Sequence, residues 1–445
     1  MVTFAAPVMP MTAKKVHRRK RNALPKSPRI DKIVNNYLGE LVKDLPGDHD
    51  RVPGVAVAVR WKQKIVHVNC YGYANLETGA KITPDTVFDL GSLSKQFTAA
   101  AAYNLVIHNQ LDINDSLSKF FEELPRWADG ITVEDLLHHT SALPDYMRIF
   151  EKLRPREKGF YSKALKKPDH WYPTMPNRKR KEITNKNVLE WLGTEKRLRA
   201  PDAEFAYSNS GYVVLAELIE RVAREPFAKY VMETVIFGID AEMKSTYVFD
   251  EVYGFAPDDP ETANHARCYN RVGDRFVPVG YTPLNFITGD GNVHSTIRDL
   301  AMWERFLHRL DYKLPARELL WSPVLIKNRK QVNYGAGWRL LRDHYEEQIK
   351  VRGKLVTRKH EYRAEYHRGI WLAWRSFIAR GTRWVVPKAG QSIDPKTAES
   401  LGIIVLSNAD FGDKEFTPCR IAQEISKLYL GKWKKDNIMT KFNCG

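Results

Sequence analysis

Apolar residues recur with two different periods along this chain. Ile30, Ile33, Val34, Tyr37, Leu38 and Leu41 keep the three-to-four spacing of an amphipathic helix, which Pro46-Gly47 would stop. Val55, Val57, Val59 and Trp61 then alternate, and Ile65, Val66 and Val68 resume after Lys62-Gln63-Lys64, the pattern of a β-hairpin. A long, mostly helical middle follows. Towards the other end, Leu401-Gly-Ile-Ile-Val-Leu406 reads as a buried strand, and Ile421, Ile425 and Leu428 as one face of a last helix. Strands at both ends with helices between predict one sheet closed by both ends of the chain, with a helical insert. Two basic stretches lack such periodicity. Residues 152–186 hold Arg178-Lys-Arg-Lys181 with Trp171 and Tyr172, and residues 342–366 hold Lys350, Arg352, Lys354, Arg358 and Lys359. Both read as long surface loops, with a hairpin as the alternative for the second. The chain shows no internal repeat.

Composition narrows the class. A 43% apolar and 28% charged chain of 445 residues is ordinary globular protein, neither disordered nor fibrous. The longest apolar-leaning run, Phe97 to Ile107, is too short to cross a bilayer. The excess of 70 Lys and Arg over 53 Asp and Glu gives +17, which favours anionic partners without defining a fold. Residues 1–29 read as a solvated basic tail, with Lys14, Lys15, Arg18, Arg19, Lys20 and Arg21. The sharper alternative is an arm for nucleic acid, acidic lipid or an acidic partner, although no aromatics interleave with the charges. Pro7 and Pro10 break the first apolar stretch and the charge comes after it, the reverse of a secretory signal. A cytoplasmic location is therefore expected. Cys70, Cys268, Cys419 and Cys444 have neither zinc-finger spacing nor the density of a disulfide scaffold, and read as idle thiols in a reducing compartment.

The chemistry starts at Ser92-Leu-Ser-Lys95. Placed at the head of the helix through Leu105, these two side chains lie one turn apart on one face. A serine hydroxyl is a poor nucleophile at neutral pH and needs a base beside it, which a lysine can provide. Alone, the motif is weak, and Ser92 could be a helix cap. Tyr207-Ser-Asn209 opens another helix and offers a phenol for proton relay and an amide for positioning. Late in the chain, His367-Arg-Gly369 leads into an extended stretch, with His367 and Gly369 on one face. Gly369 would leave room for a substrate against the strand edge. The N–H groups of Ser92 and Ile370 could then aim at an oxyanion.

With these three motifs in order, the sequence resembles the serine β-lactamase and penicillin-binding-protein superfamily, closest to its class C β-lactamase and carboxylesterase-like branch. Leu136-Leu-His-His-Thr-Ser-Ala-Leu-Pro-Asp-Tyr146 resembles that branch's Leu-Leu-x-His-Thr-Ser-Gly-Leu-Pro-Asp-Tyr signature, with Ala142 in place of the glycine. Gly289 to Trp303, Tyr334-Gly-Ala-Gly-Trp338 and Leu401 to Asn408 fit as well. The resemblance covers about residues 30 to 430. It implies an α+β fold of the β-lactamase/transpeptidase type: an antiparallel sheet built from both chain ends (about 30–95 and 296–430), a helical part (about 96–295) and a short tail at 431–445.

The implied activity is acyl transfer through a covalent serine ester, with no metal or organic cofactor and a small acyl substrate. Ser92, Lys95 and Tyr207 would be catalytic. Asn209, His367, Gly369 and Ile370 would position substrate and form the oxyanion hole. His367 stands where lactamases proper usually carry Lys, and a neutral His is a poorer anchor for a carboxylate. Esters, amides or D-peptides are therefore expected ahead of β-lactams. An acyltransferase and a non-catalytic, anion-binding relative are the alternatives. Lys388-Ala-Gly390 is a competing third motif, but it falls in the hairpin before the Leu401 strand. His138-His139 reads as a helix end packing on the next loop, and Asp290 as turn chemistry.

Overall fold

Strand β1 is buried on both faces, and its two sets of side chains enter two different cores. The structure is a computed structural model. It describes residues 24–43, 51–153, 183–195, 200–239, 242–249, 264–279, 284–311, 314–351, 354–385, 398–412, 416–430 and 438–444. In chain order, helix α1 (Pro28–Val42) precedes β1 (Val55–Trp61), β2 (Lys64–Tyr71) and β3 (Val87–Asp89). Next come α2 (Lys95–Ile107), α3 (Asn209–Ala223), β4 (Val293–Thr296) and α4 (Ile297–Leu310). The chain then forms β5 (Tyr334–Gly335), β6 (Trp338–Val351), β7 (Lys354–Trp371), β8 (Trp374–Val385), β9 (Glu399–Ser407) and α5 (Thr417–Leu430). Seven strands make one antiparallel sheet in the order β5-β6-β7-β8-β9-β1-β2. Both chain ends contribute, as the alternating apolar pattern implied, and the architecture is α+β.

Val55, Val57 and Val59 pack with Ile30 and Val34 of α1 and Ile421 and Ile425 of α5. Ala56 and Ala58 face the other core, with Phe97 and Ala101 of α2 and Leu215 of α3. Small residues on that face let helices approach the sheet closely. Helix α2 is buried from Lys95 to Leu105 and has no polar face, as befits a helix inside the core. On the same side, Arg60 and Arg380 reach from either side of Gly402 in β9 to Glu304 of α4. Arg380 and Arg363 also pair with Asp311, at 2.7 and 3.0 Å.

Three expectations need correction. Residues 342–366 belong to a long β6–β7 hairpin, paired from Arg339↔Tyr366 to Val351↔Lys354. From Lys354 to Lys359, β7 pairs among the described residues with β6 alone, and Glu346, Leu355 and Lys359 are exposed. Glu346, Gln348, Leu355, Thr357 and Lys359 share one face of this ribbon and are exposed, so that face carries no buried apolar row to leave a periodic signal. Cys419 and Cys444 form a disulfide, Cα to Cα 5.6 Å, and are not idle thiols. That bond removes the cysteine-based ground for expecting a reducing compartment. The last described residues are not a loose tail: Ile438, Met439 and Phe442 are buried, and the Phe442 ring lies 4.7 Å from that of Tyr366. Residues 1–23 of the basic tail, 154–182 of the first basic stretch and the competing Lys388 motif lie outside the described residues.

Candidate active site

The chain leaves β3 at Asp89 and turns sharply at Gly91, where φ is +52°. The Asp89 carboxylate accepts the Gly91 N–H at 2.7 Å and fixes this turn. A short 3-10 turn, Gly91–Ser94, runs directly into α2 and carries Ser92, whose side chain remains partly exposed. Lys95, the first residue of α2, is fully buried because the helix has core on every side. Its Nζ lies 3.2 Å from Ser92 Oγ, 2.9 Å from Asn209 Oδ1 and 2.9 Å from the Asp290 carbonyl oxygen.

Asn209 begins α3, and its N–H is accepted by Asp145 Oδ2 at 2.9 Å, an acid placed where a helix N-terminus favours one. Two residues earlier, the Tyr207 ring has its centroid 5.0 Å from Lys95 Nζ. His139 supports that ring from behind, 4.3 Å away. It follows the helix Val133–His138 in a left-handed conformation and accepts the Ser208 N–H at Nδ1. Burial, with Lys95 nearby, holds its pKa well below the usual imidazole range, so it is a neutral wedge. His138 donates Nδ1–H to the Tyr334 carbonyl at 2.7 Å. The His-His pair is thus a packed helix end.

The third motif is placed otherwise than its sequence suggests. His367 is buried, with Nδ1 donating to the Arg368 carbonyl at 2.7 Å and Nε2 accepting from the Tyr334 hydroxyl at 3.0 Å. Burial, Lys95 and Arg339 depress its pKa far below the ordinary value. It is a neutral, fully engaged side chain behind the site and does not line the cleft. Gly369 leaves room for something other than substrate. A Cβ there would lie 2.0 Å from both the Leu90 carbonyl oxygen and Ser376 Oγ. Ile370, next along β7, is 40% exposed and does line the cleft. The Gly91 turn abuts it, since a Cβ on Gly91 would lie 2.8 Å from Ile370 N.

The cleft has a volume of about 190 Å³. Ser92, Asn209 and Asp290 are among its polar residues, and Met147, Leu284, Ile287 and Trp371 give it apolar walls. Asp290 corrects a further expectation, because it is more than turn chemistry. Its buried carboxyl accepts the Tyr146 hydroxyl at 3.1 Å and is pushed up to about 7, chiefly by burial and against the pull of Lys95. Asp290, Tyr146 and Asp145 were not identified as site residues from sequence. The Leu-Pro-Asp-Tyr signature and the Gly-rich turn were visible, but only the fold brings them together. Among the described residues, no cluster of three or more His, Cys, Asp or Glu is placed to hold a metal ion. Nor is any helix among them long and apolar enough to cross a membrane.

Comparison with known proteins agrees with this fold. The family described as Beta-lactamase matches residues 31–425. Penicillin-binding protein 4* of Bacillus subtilis is 27% identical over 348 residues, covering 75% of this chain and 66% of that protein. The D-aminopeptidase of Brucella anthropi is 26% identical over 285 residues, covering 62% of this chain and 46% of its own. The chain thus spans about half to two thirds of the length of these relatives. The octameric penicillin-binding protein homologue from Pyrococcus abyssi superposes with a TM-score of 0.63 at 22% identity, over 91% of this chain and 77% of that one, a likeness of fold. The chain belongs to the β-lactamase family, within the serine hydrolase superfamily that includes the penicillin-binding proteins.

Proposed function

We propose that this protein is a serine hydrolase in which Ser92 is the nucleophile and Lys95 its base, acting on small esters, amides or D-peptides. The observation that carries this reading is the set of contacts at Lys95 Nζ. To act as the base, the Lys95 nitrogen must shed one proton, which leaves two N–H groups and one lone pair. The two shorter contacts, to Asn209 Oδ1 and the Asp290 carbonyl, use the two N–H groups. The lone pair is then left facing the Ser92 hydroxyl at 3.2 Å.

In this reading Ser92 Oγ forms a bond to the substrate carbonyl carbon while its proton passes to Lys95 Nζ. The carbonyl π electrons move onto oxygen, where the N–H groups of Ser92 and Ile370 receive the charge. The C–O or C–N bond to the leaving group then breaks, and the leaving group takes the proton by way of Lys95 and Tyr207. Water attacks the resulting ester, giving up its proton along the same route and restoring Ser92. Asn209 orients both Lys95 and the substrate. His367 contributes through Tyr334 and Tyr207 and does not bind an anion itself, which favours substrates that need no cation from this motif. The penicillin-binding protein and D-aminopeptidase relatives support the peptide and amide members of the proposed substrate class.

The test is intact mass after incubation with a fluorophosphonate, with turnover of p-nitrophenyl esters and a cephalosporin, for the wild type and Ser92→Ala. A phosphonate adduct and ester turnover that both vanish in Ser92→Ala are expected. Removal of the base in Lys95→Met should lower the rate by about a hundredfold to ten-thousandfold. Turnover that survives in Ser92→Ala would refute the assignment. A cephalosporin turned over as fast as the esters would replace the substrate class with β-lactams.

A further inference from the structure

The walls of the Ser92 cleft present carbon, and the few side-chain donors among them are already used. Met147, Leu284, Ile287 and Trp371 line it, and among the described residues no Lys, Arg or His does. Apart from Ser92 and Asn209, three lining side chains carry a donor. The Tyr146 hydroxyl donates to Asp290 at 3.1 Å, Asn292 Nδ2 to the Ile287 carbonyl at 3.0 Å, and Trp371 Nε1 to Asn285 Oδ1 at 3.1 Å. Asp290 offers no free charge, because Oδ2 takes that hydroxyl and Oδ1 is closed off from solvent. What remains beside the nucleophile is a neutral, apolar surface. Its size is that of one ring. A protein cavity of about 150 Å³ with apolar walls holds benzene, and this cleft has a volume of about 190 Å³.

Trp371 is held in its wall from two directions. It follows Ile370 along β7 and closes the strand through the pair Trp371↔Trp374. The turn between them puts Leu372 at φ +48°, a left-handed conformation unfavourable for leucine. The bond from Nε1 to Asn285 ties the ring to the loop that carries Leu284 and Ile287. Which part of a substrate enters here follows from the proton path. Lys95 and Tyr207, which return the proton to the leaving group in the hydrolase reading, do not line the cleft. The leaving group therefore departs on their side, and the acyl group lies in the cleft.

We infer that this cleft takes an uncharged, ring-sized apolar acyl group, such as an arylacetyl group, and that the Trp371 indole is its specificity-determining wall. This rests on the hydrolase reading above and specifies its acyl group. The ring of an arylacetyl group stands one methylene from the carbonyl carbon, so it can enter the cleft while that carbon is at Ser92. An indole and a thioether are both favourable neighbours for an aromatic ring. An acyl chain ending in a carboxylate would give up its hydration and meet no cation there.

The experiment compares kcat/KM for p-nitrophenyl acetate, butyrate, phenylacetate and hemisuccinate, which share one leaving group, in the wild type and Trp371→Ala. Each value is divided by the spontaneous hydrolysis rate of that ester, and fluorophosphonate labelling of Ser92 is run alongside. The wild type should prefer phenylacetate to acetate by about tenfold to a hundredfold, the effect of burying one aromatic side chain. It should prefer butyrate to hemisuccinate by about tenfold or more. In Trp371→Ala the phenylacetate preference should shrink by about threefold or more. A wild type that labels at Ser92 but shows no preference for the phenylacetate, or takes the hemisuccinate as readily as the butyrate, overturns the inference, and this arm needs no variant to fold. So does an unchanged preference in a Trp371→Ala protein that still labels. Absence of any Ser92 adduct in the wild type would instead bring down the hydrolase reading, and the inference with it.

Discussion

Gly369 and Leu90 meet backbone to backbone, and Ser376 Oγ seals the contact by donating to the Leu90 carbonyl at 2.6 Å. Strand β7 is thereby locked against the turn that carries Ser92. A methyl group at 369 would strike the Leu90 carbonyl and the Ser376 hydroxyl together; the hydroxyl could rotate away only by giving up its bond to Leu90, and the carbonyl cannot withdraw without moving main chain. Gly369→Ala should lose about 1–3 kcal/mol of stability through overpacking. It should also slow fluorophosphonate labelling of Ser92 by tenfold or more, because Ile370 would no longer abut the Gly91 turn. Urea denaturation and labelling kinetics read the two effects separately, and a variant normal in both would break this account.

Ala142 has φ +57°, the left-handed region that disfavours a Cβ. The branch signature carries glycine at this point of the loop leading to Asp145 and Tyr146. Holding alanine there costs about 1–2 kcal/mol. Ala142→Gly should recover part of this, about 0.5–1 kcal/mol, since glycine also raises the entropy of the unfolded chain. The measurement is the urea midpoint, which should rise.

Glu304 is enclosed by two guanidinium groups, those of Arg60 and Arg380. All three side chains are 2% exposed or less. Removal of its charge leaves buried cations short of a counter-ion. Glu304→Gln should cost about 3–5 kcal/mol. Chemical denaturation of the variant measures it, and a cost under about 0.5 kcal/mol, the scale of an ordinary surface substitution, would mean that the surrounding acids carry the balance.

His67 predicts an acid-sensitive step. It is fully buried, with Nδ1 accepting the Ser27 N–H at 3.0 Å and Nε2 facing the Tyr71 oxygen at 3.2 Å. Tyr71 in turn donates to Asp31 at 2.6 Å. Burial lowers the His67 pKa from 6.5 to about 4, despite the pull of Asp31. The unfolded chain therefore binds this proton first. Its contribution to stability is complete above pH 6.5 and is lost as pH falls towards 4. The loss is about 3 kcal/mol at most. Stability measured from pH 7.5 down to 4.5 should decline, and His67→Asn should flatten the part of the slope due to this residue.

Local chemistry was legible in the sequence where the partners are close along the chain. Ser92 and Lys95 are three residues apart, so helix geometry alone brings them together. The alternating valines of β1 marked a strand because its two faces enter two cores. Side-chain direction late in the chain was legible only up to a point. Alternation placed His367 and Gly369 on one face, but what covers that face is decided by Tyr334 and Leu90, each far away in sequence. Asp290 looked like turn chemistry because burial of a loop carboxyl is a tertiary fact. The β6–β7 hairpin was open only as an alternative for the opposite reason: the described side chains of its outer part are exposed, and exposed positions need no apolar period.

The sheet order has a consequence for how the molecule comes into being. Strand β1 is made early, yet β9, one of its two sheet neighbours, is synthesised more than 300 residues later, as the pairing Val55↔Ser407 shows. Until β9 arrives, a strand of valines has an open edge, a state prone to pairing with other chains. Closing so long a loop is also slow. A ribosome-bound chain that stops short of β9 should therefore be the most aggregation-prone species in the life of this protein, and a natural client for a chaperone that covers strand edges.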